Sequence, residues 1–305
     1  MTSRLHLVSL EVQSRSSIFS GVICLLMVKN FIILLAVVFT SLSAHAQNPK
    51  SQEWETEADT LMSREDFVGA AKLYTKVIDA SKLKEKADYR ALYKRGVAFY
   101  SQGDFKSAVS DLDRFIPEYL QSYQARILRA LCYRELGETD KQLADVEEAL
   151  TLSGGDPQIL KWRAGLLIEK EQFNQAIEDL LLVRQMQDDP EVELNLGFAY
   201  YSTDKLDSAL IAINKAIELE ATFLPAYLYG GSFSLEQGQY EMTVKYINIA
   251  LMLDPANVNA WFYKGVALIE LQKEDEGCSC LRKAFYAGQD DAGDYLKQYC
   301  YGIED

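Results

Sequence analysis

A period of about 34 residues constrains the fold of this chain more than any other feature of its sequence. Seven small residues mark the period at intervals of 38, 34, 34, 33, 34 and 34 residues, namely Ala58, Gly96, Ala130, Ala164, Gly197, Gly231 and Gly265. A unit of this length cannot bury its apolar face alone, so it must stack against its neighbours. The period therefore predicts seven similar units stacked along the chain.

Each unit carries two stripes of apolar and small residues. In the second unit the first stripe continues from Gly96 to Phe99, and the second stripe contains Ala108, Leu112 and Phe115. Offsets of three and four residues place side chains on one face of an α-helix. Glycine-containing turns separate the two stripes in three units, at residues 102–104, 136–138 and 237–239. Each unit is therefore predicted to be a pair of amphipathic helices that cross closely at the small residue.

The unit resembles the tetratricopeptide repeat, a helix–turn–helix of 34 residues. Residues 260–267 (AWFYKGVA) and 194–200 (LNLGFAY) follow that family's scheme of aromatic, leucine, glycine and tyrosine residues, and Asp254-Pro255 matches its closing proline. The resemblance covers residues 51–287. It implies an all-α fold, a right-handed α-α superhelix (solenoid) of about seven repeats. Residues 290–300 are expected to form a C-terminal capping helix that covers the last apolar face.

Three units depart from this pattern. The first unit has four additional residues within 79–90, which predicts a longer second helix or a longer connection. The third has Gln142 where a small residue is usual. The seventh has Gly277 inside a helix, where glycine costs about 1 kcal/mol relative to alanine.

A segment near the start of the chain has the order of a secretory signal peptide. Lys29 precedes the apolar run 31–42, and Ala44-His45-Ala46 is a small-x-small cleavage site. We expect translation to start at Met27, cleavage after Ala46, and export to the periplasm or the cell exterior. The alternative is an uncleaved membrane anchor, although a spanning helix needs about 20 apolar residues. This segment is the one part of the chain for which we expect membrane contact.

The sequence thus divides into three parts. Residues 1–46 are the N-terminal extension and signal peptide, residues 47–289 are the repeat domain, and residues 290–305 are the capping helix and tail. The repeats occupy almost all of the mature chain, so they leave no space for a catalytic domain.

Composition excludes several classes of function. The two histidines are His6 and His45, so no histidine follows the predicted cleavage site. That excludes Ser-His and Cys-His pairs and most zinc sites. The formal net charge is −14, which disfavours nucleic acid as a partner. The sequence contains no glycine-rich phosphate loop and no Gly-x-Ser-x-Gly element. We therefore expect no enzymatic activity, no metal site and no cofactor.

The resemblance implies that the partner is a protein or peptide held on a concave surface lined by the first helices of the repeats. Aromatic residues with an occasional arginine are typical of binding anchors. The candidate anchors at these positions are Tyr93, Tyr100, Arg134, Lys161, Phe198, Tyr201 and Phe262. The alternative for any one of them is that it packs against the neighbouring repeat.

The predicted function is that of an exported scaffold or adaptor in the assembly of an envelope or secretion complex. Two alternatives remain open at this point. Aromatic strips also stack on sugars, which is typical of a carbohydrate-binding module. A glycosidase that uses two carboxylates needs no histidine.

Four cysteines follow residue 46, namely Cys132, Cys278, Cys280 and Cys300. An even number in an oxidising compartment suggests disulfides. Exported tetratricopeptide proteins of similar build often carry cysteines at the places of Cys278 and Cys300. The resemblance therefore implies a Cys278–Cys300 disulfide that holds the cap. Cys280 is the competing partner, and Cys132 is expected to be a buried thiol.

Overall fold

The computed structural model describes residues 49–83 and 89–300, and these residues form fifteen α-helices. The first helices of the seven repeats are α1 (Pro49–Ser63), α3 (Arg90–Ser101), α5 (Tyr123–Glu135), α7 (Pro157–Glu169), α9 (Pro190–Ser202), α11 (Leu224–Glu236) and α13 (Val258–Glu270). The second helices are α2 (Phe67–Ser81), α4 (Phe105–Phe115), α6 (Thr139–Ser153), α8 (Phe173–Met186), α10 (Leu206–Leu219), α12 (Tyr240–Leu253) and α14 (Glu274–Tyr286). The last helix is α15 (Asp291–Tyr299). Paired helices at the predicted period confirm the all-α repeat fold.

Two segments discussed above are only partly covered by this description. The predicted signal peptide and its cleavage site lie outside the described residues. Most of the long connection 79–90 can be followed only to Leu83 and again from Tyr89, and α2 ends at Ser81. Within the described ranges, the helices are all too short or too polar to cross a bilayer.

The small residues lie where the two helices of a repeat cross. Ala58, Ala130 and Ala164 are fully buried. A Cβ added to Gly265 would lie 2.7 Å from Leu281 Cγ and 3.0 Å from the backbone nitrogen of the same residue. The predicted reason for the small residue, a close approach of two backbones, is therefore confirmed.

Every first helix ends in a turn whose last residue is left-handed. Glycine fills this position in three repeats, as the sequence pattern predicts. A residue with a side chain adopts the same positive φ in the other four, and the full set is Glu65, Gly103, Gly137, Glu171, Asp204, Gly238 and Gln272. The turn geometry is thus shared by all seven repeats, although its glycine signal is not.

Side-chain caps fix two of the junctions between repeats. The Asp156 carboxylate accepts hydrogen bonds from the backbone amides of Gln158 and Ile159, and a proline follows as the first residue of α7. Asp189 caps α9 in the same way, again with a proline next to it. Both junctions were predicted from an aspartate followed by proline.

The helices group into two compact units that divide within α6, after Gln142. In unit 1, α1 to α5 pack each on the next, and α3 also contacts α5. In unit 2, α7 to α15 pack each on the next, and the first helices α7, α9, α11 and α13 contact one another in succession. Within a unit the first helices therefore form an inner layer, and the second helices form an outer layer.

Arginine–aspartate pairs lock individual repeats in a way that the sequence stage did not identify. The Arg95 guanidinium donates two hydrogen bonds of 2.7 Å to Asp111. Arg163 donates to Asp179 in the same two-pronged manner, at 2.7 and 2.5 Å. The aspartates are buried, with 3% and 2% of their surface exposed, so these ion pairs neutralise charges inside the helix crossing.

The predicted capping helix is present as α15, which packs on α14 and contacts α13. In the structure Cys278 of α14 and Cys300 after α15 form a disulfide with their Cα atoms 5.8 Å apart. Cys280, the competing partner, is a separate buried thiol, and Cys132 is buried in α5. The geometry therefore favours the pairing that the family resemblance implied.

Candidate protein-interaction surface

Three of the seven predicted anchors are buried rather than exposed. Tyr93 and Phe198 each expose 8% of their surface, and Phe262 exposes 2%. The Tyr93 ring lies 5.1 Å from that of Phe115, and the Phe262 ring lies 5.7 Å from that of Tyr295. The expectation of exposure is wrong for these residues, because their side chains fill the space between neighbouring helices.

The burial of Tyr93 has an electrostatic consequence. Its hydroxyl has no hydrogen-bond partner in the structure. Burial, with a smaller contribution from Tyr123, raises the pKa of this phenol well above its usual range. Tyr93 therefore stays neutral, and its ring belongs to the core of unit 1.

The two charged anchors are ion-paired. Lys161 on α7 lies 2.8 Å from Asp189, the residue that caps α9, so this pair joins repeats four and five. Arg134 lies 2.6 Å from the carboxylate of the next residue, Glu135. A partner that used either cation would have to compete with the carboxylate already bound.

Two tyrosine anchors are half-buried and keep part of their rings open. Tyr100 in unit 1 packs edge-on against Phe105 at 5.6 Å. Tyr201 in unit 2 stacks on Phe233 at 4.0 Å, nearly parallel, and its hydroxyl donates a hydrogen bond to Glu236. These two residues keep the geometry of possible anchors, and their binding role stays a prediction.

The structure reveals a further aromatic residue on the inner layer of unit 2. Tyr229 on α11 is half-buried, with its ring 5.9 Å from Phe198 and 5.5 Å from Phe233. It lies between the predicted anchors of repeat five and the core of repeat six. The sequence stage passed over it because it is one residue before the glycine pair Gly230-Gly231, outside the expected inner register.

A row of tyrosines and glutamates follows the C-terminal ends of the inner helices of unit 2. We call this row the tyrosine–carboxylate edge, and its members are Tyr201, Glu236, Tyr240, Glu270 and Tyr295. Burial and the Glu270 carboxylate raise the pKa of Tyr240, and the same two causes act on Tyr295. Glu270 is thus close to two phenols, and Glu236 accepts a hydrogen bond from a third.

The outer layer of unit 2 exposes a series of large apolar side chains. All of them lie on second helices, and we call them the outer stripe: Leu182, Met186, Ile211, Met242, Ile249, Met252, Leu253, Phe285 and Tyr286. Met252 exposes 81% of its surface and Tyr286 exposes 77%. The sequence analysis placed binding residues only on the inner layer, so this second apolar surface is new. Exposed apolar surface of this kind is typical of interaction sites.

The carboxylates of unit 2 do not form a ready catalytic pair around the one that titrates unusually on the inner layer. Burial, with Asp189 and Glu220, raises the pKa of Glu191, while Lys161 acts against the shift. Asp189 is bound to Lys161 and to the backbone amide of Glu191. Among the described residues, no group of three or more acidic, cysteine or histidine side chains is arranged to hold a metal ion.

The repeat geometry and the sequence lead to the same class of protein. Two family models, both described as tetratricopeptide repeat, match the chain, the first at residues 56–119 and 93–157 and the second at residues 194–223. The chain is a member of the tetratricopeptide repeat family. Members of this family are in general scaffolds for protein–protein interaction rather than enzymes.

Solved structures show the same fold at low sequence identity. A tetratricopeptide repeat protein from Parabacteroides merdae is 17% identical with a TM-score of 0.57, over 81% of this chain and 97% of that one. The C-terminal part of a repeat protein from Cytophaga hutchinsonii is 16% identical with a TM-score of 0.65, over 79% and 98%. YrrB, a repeat protein with an unusual peptide-binding site, is 18% identical with a TM-score of 0.52, over 61% and 97%. No curated protein sequence matches the chain.

Proposed function

We propose that this chain is an exported scaffold and that a segment of a partner protein docks on the inner layer of unit 2. The observation that carries the proposal is the presence of half-buried tyrosines, Tyr201 and Tyr229, on the inner helices. Tyrosine offers a large contact area and a polar hydroxyl with few rotatable bonds, which is why it is common at interface anchors. YrrB, with the same fold, has a peptide-binding site, which is consistent with a peptide-like ligand here.

Two independent features support export. The segment at residues 27–46 has the order of a signal peptide, and the Cys278–Cys300 disulfide is of a kind that persists in oxidising compartments. In the periplasm or outside the cell, a rigid repeat array can hold the components of an envelope or secretion complex together. The acidic surface keeps such an array soluble.

Site-specific photocrosslinking in intact cells tests the docking surface. A benzoylphenylalanine at Ser232 on α11 would report on the inner layer, because this residue holds the position of Phe198 in the next repeat. The matched probe at Asn248 on α12 would report on the outer layer of the same repeat. We expect a protein adduct from Ser232 that is absent with Asn248. An adduct from Asn248 alone would move the interface to the outer stripe, and no adduct from either would contradict the scaffold proposal.

Fractionation and N-terminal sequencing test export. We expect the chain to be recovered outside the cytoplasm with Gln47 as its first residue. Recovery of an intact N-terminus in the membrane fraction would favour the anchor instead.

Titration with soluble glycans tests the carbohydrate-binding alternative. We expect no saturable heat of binding. A saturable signal that Tyr201→Ala abolishes would replace the protein partner by a sugar.

A further inference from the structure

Three carboxylates occupy the least favourable end of an inner helix. Glu169, Glu236 and Glu270 are the last residues of α7, α11 and α13. The C-terminal end of a helix carries a partial negative charge, so an anionic side chain there is repelled, and a basic residue is the usual choice. None of these three helices has a basic residue in its last turn. The inner layer of unit 2 therefore concentrates negative potential along one edge.

The tyrosines of the tyrosine–carboxylate edge add to this potential rather than neutralise it. The Tyr201 hydroxyl donates to Glu236, which orients that carboxylate. Burial and the Glu270 carboxylate raise the pKa of Tyr240 and of Tyr295, so both phenols stay neutral in the physiological range. The face of a neutral phenol ring is electron-rich and attracts cations. Carboxylates next to such rings are the surroundings that suit an ammonium or guanidinium group.

The lysines closest to this edge along the chain do not occupy the inner layer opposite it. Lys161 is bound to Asp189, and Lys205 lies over the Tyr200 ring at 6.0 Å. Lys273, which precedes α14, is exposed. The whole chain has a formal net charge of −14, so its long-range field also attracts basic partners.

We infer that the tyrosine–carboxylate edge binds a lysine- or arginine-bearing segment of a partner protein. This inference rests on the proposed function and specifies its partner. Each basic side chain places its charge against a glutamate and its stem against a tyrosine ring, and the backbone of the segment runs along the ends of the inner helices.

The spacing of the repeats sets the spacing of the basic residues. Neighbouring inner helices α11 and α13 are in contact, and packed helices lie about 8–10 Å apart. An extended peptide rises about 3.3 Å per residue. Glu236 and Glu270 should therefore receive basic side chains that are about three residues apart.

Fluorescence anisotropy with a defined peptide tests this inference. The protein is purified from cells that express the full chain, and the probe is a labelled twelve-residue peptide with arginine at every third position. A second peptide carries citrulline in place of each arginine. We expect saturable binding of the arginine peptide only, and a loss of affinity of tenfold or more in the double variant Glu236→Gln/Glu270→Gln.

A charge-matched control separates local recognition from net charge. The double variant Glu218→Gln/Glu241→Gln removes the same charge from exposed positions on α10 and α12 of the outer layer. We expect its affinity to stay within twofold of the unsubstituted chain. Equal losses in both double variants would overturn the inference, as would equal binding of the citrulline peptide. If the arginine peptide does not bind while Ser232 still crosslinks to a protein, the docking surface stands and the basic partner is wrong.

Discussion

One glycine-to-alanine substitution at the same position of two repeats should change stability in opposite directions. Gly96 and Gly265 both lie at the helix crossing of their repeats. Alanine is the better helix former by about 1 kcal/mol. A Cβ at position 96 would lie 3.5 Å from Leu112 Cγ and 3.6 Å from the Ala108 carbonyl oxygen, which are ordinary contacts. We therefore expect Gly96→Ala to raise the free energy of unfolding by about 1 kcal/mol.

At Gly265 the same methyl group meets the opposite helix. It would lie 2.7 Å from Leu281 Cγ and 3.0 Å from the Leu281 backbone nitrogen, so α14 itself must shift. Overpacking of this kind costs about 1–3 kcal/mol, which outweighs the gain in helix propensity at most of that range. We expect Gly265→Ala to lower the free energy of unfolding by about 1 kcal/mol, a difference of about 2 kcal/mol between the two variants.

Urea denaturation followed by circular dichroism at 222 nm measures both free energies. Because repeat arrays can unfold in parts, amide hydrogen exchange in α4 and α14 provides a local reading of each substitution. We expect slower exchange in α4 for Gly96→Ala and faster exchange in α14 for Gly265→Ala. Equal stabilisation by both substitutions would refute the argument that backbone approach selects glycine at the crossing.

Three other perturbations have defined outcomes. Cys300→Ser removes a disulfide with a sequence separation of 22 residues and should destabilise the cap by about 3 kcal/mol, measured as urea unfolding with and without reductant. Asp179→Asn should lower the free energy of unfolding by about 2 kcal/mol, because buried Arg163 hydrogen bonds to a charge are lost; a thermal melt that is unchanged would contradict this. Burial opposes the charge of Lys94, but Glu55 and Asp59 outweigh it and raise its pKa. This stabilisation is present at neutral pH and is lost as pH rises above about 10.5, so the stability difference between wild type and Lys94→Met should shrink there.

The repeat architecture could be predicted because its signal recurs. One glycine or alanine carries little information, but seven at nearly constant intervals specify helix pairs, their crossings and their junctions. The left-handed turns show where this reasoning stops. Glu171, Asp204 and Gln272 adopt the same backbone conformation as Gly238, yet their side chains give no sign of it. The neighbouring helices fix the turn, and the residue within it follows.

The interaction surface was harder to predict because helical register does not fix exposure. Phe198 and Tyr201 share an inner position by spacing, but the first is buried against neighbouring rings and the second stays half-open. Exposure depends on the size of the side chains that the next repeat contributes. The outer stripe was missed for a related reason. Periodicity identifies the apolar residues that face a neighbour, and it has no means to flag apolar residues such as Met252 that face solvent.

The arginine–aspartate locks have a consequence for how such a chain can change length. Arg95 and Asp111 belong to one repeat, and so do Arg163 and Asp179. Duplicating or deleting either repeat whole would copy or remove both charges together and leave no buried carboxylate without its arginine. The pair between Arg184 and Glu193 joins two repeats, so an insertion between them would strand a buried charge. Tandem duplication is thus easier within the first kind of repeat, and the boundary at Arg184 resists it.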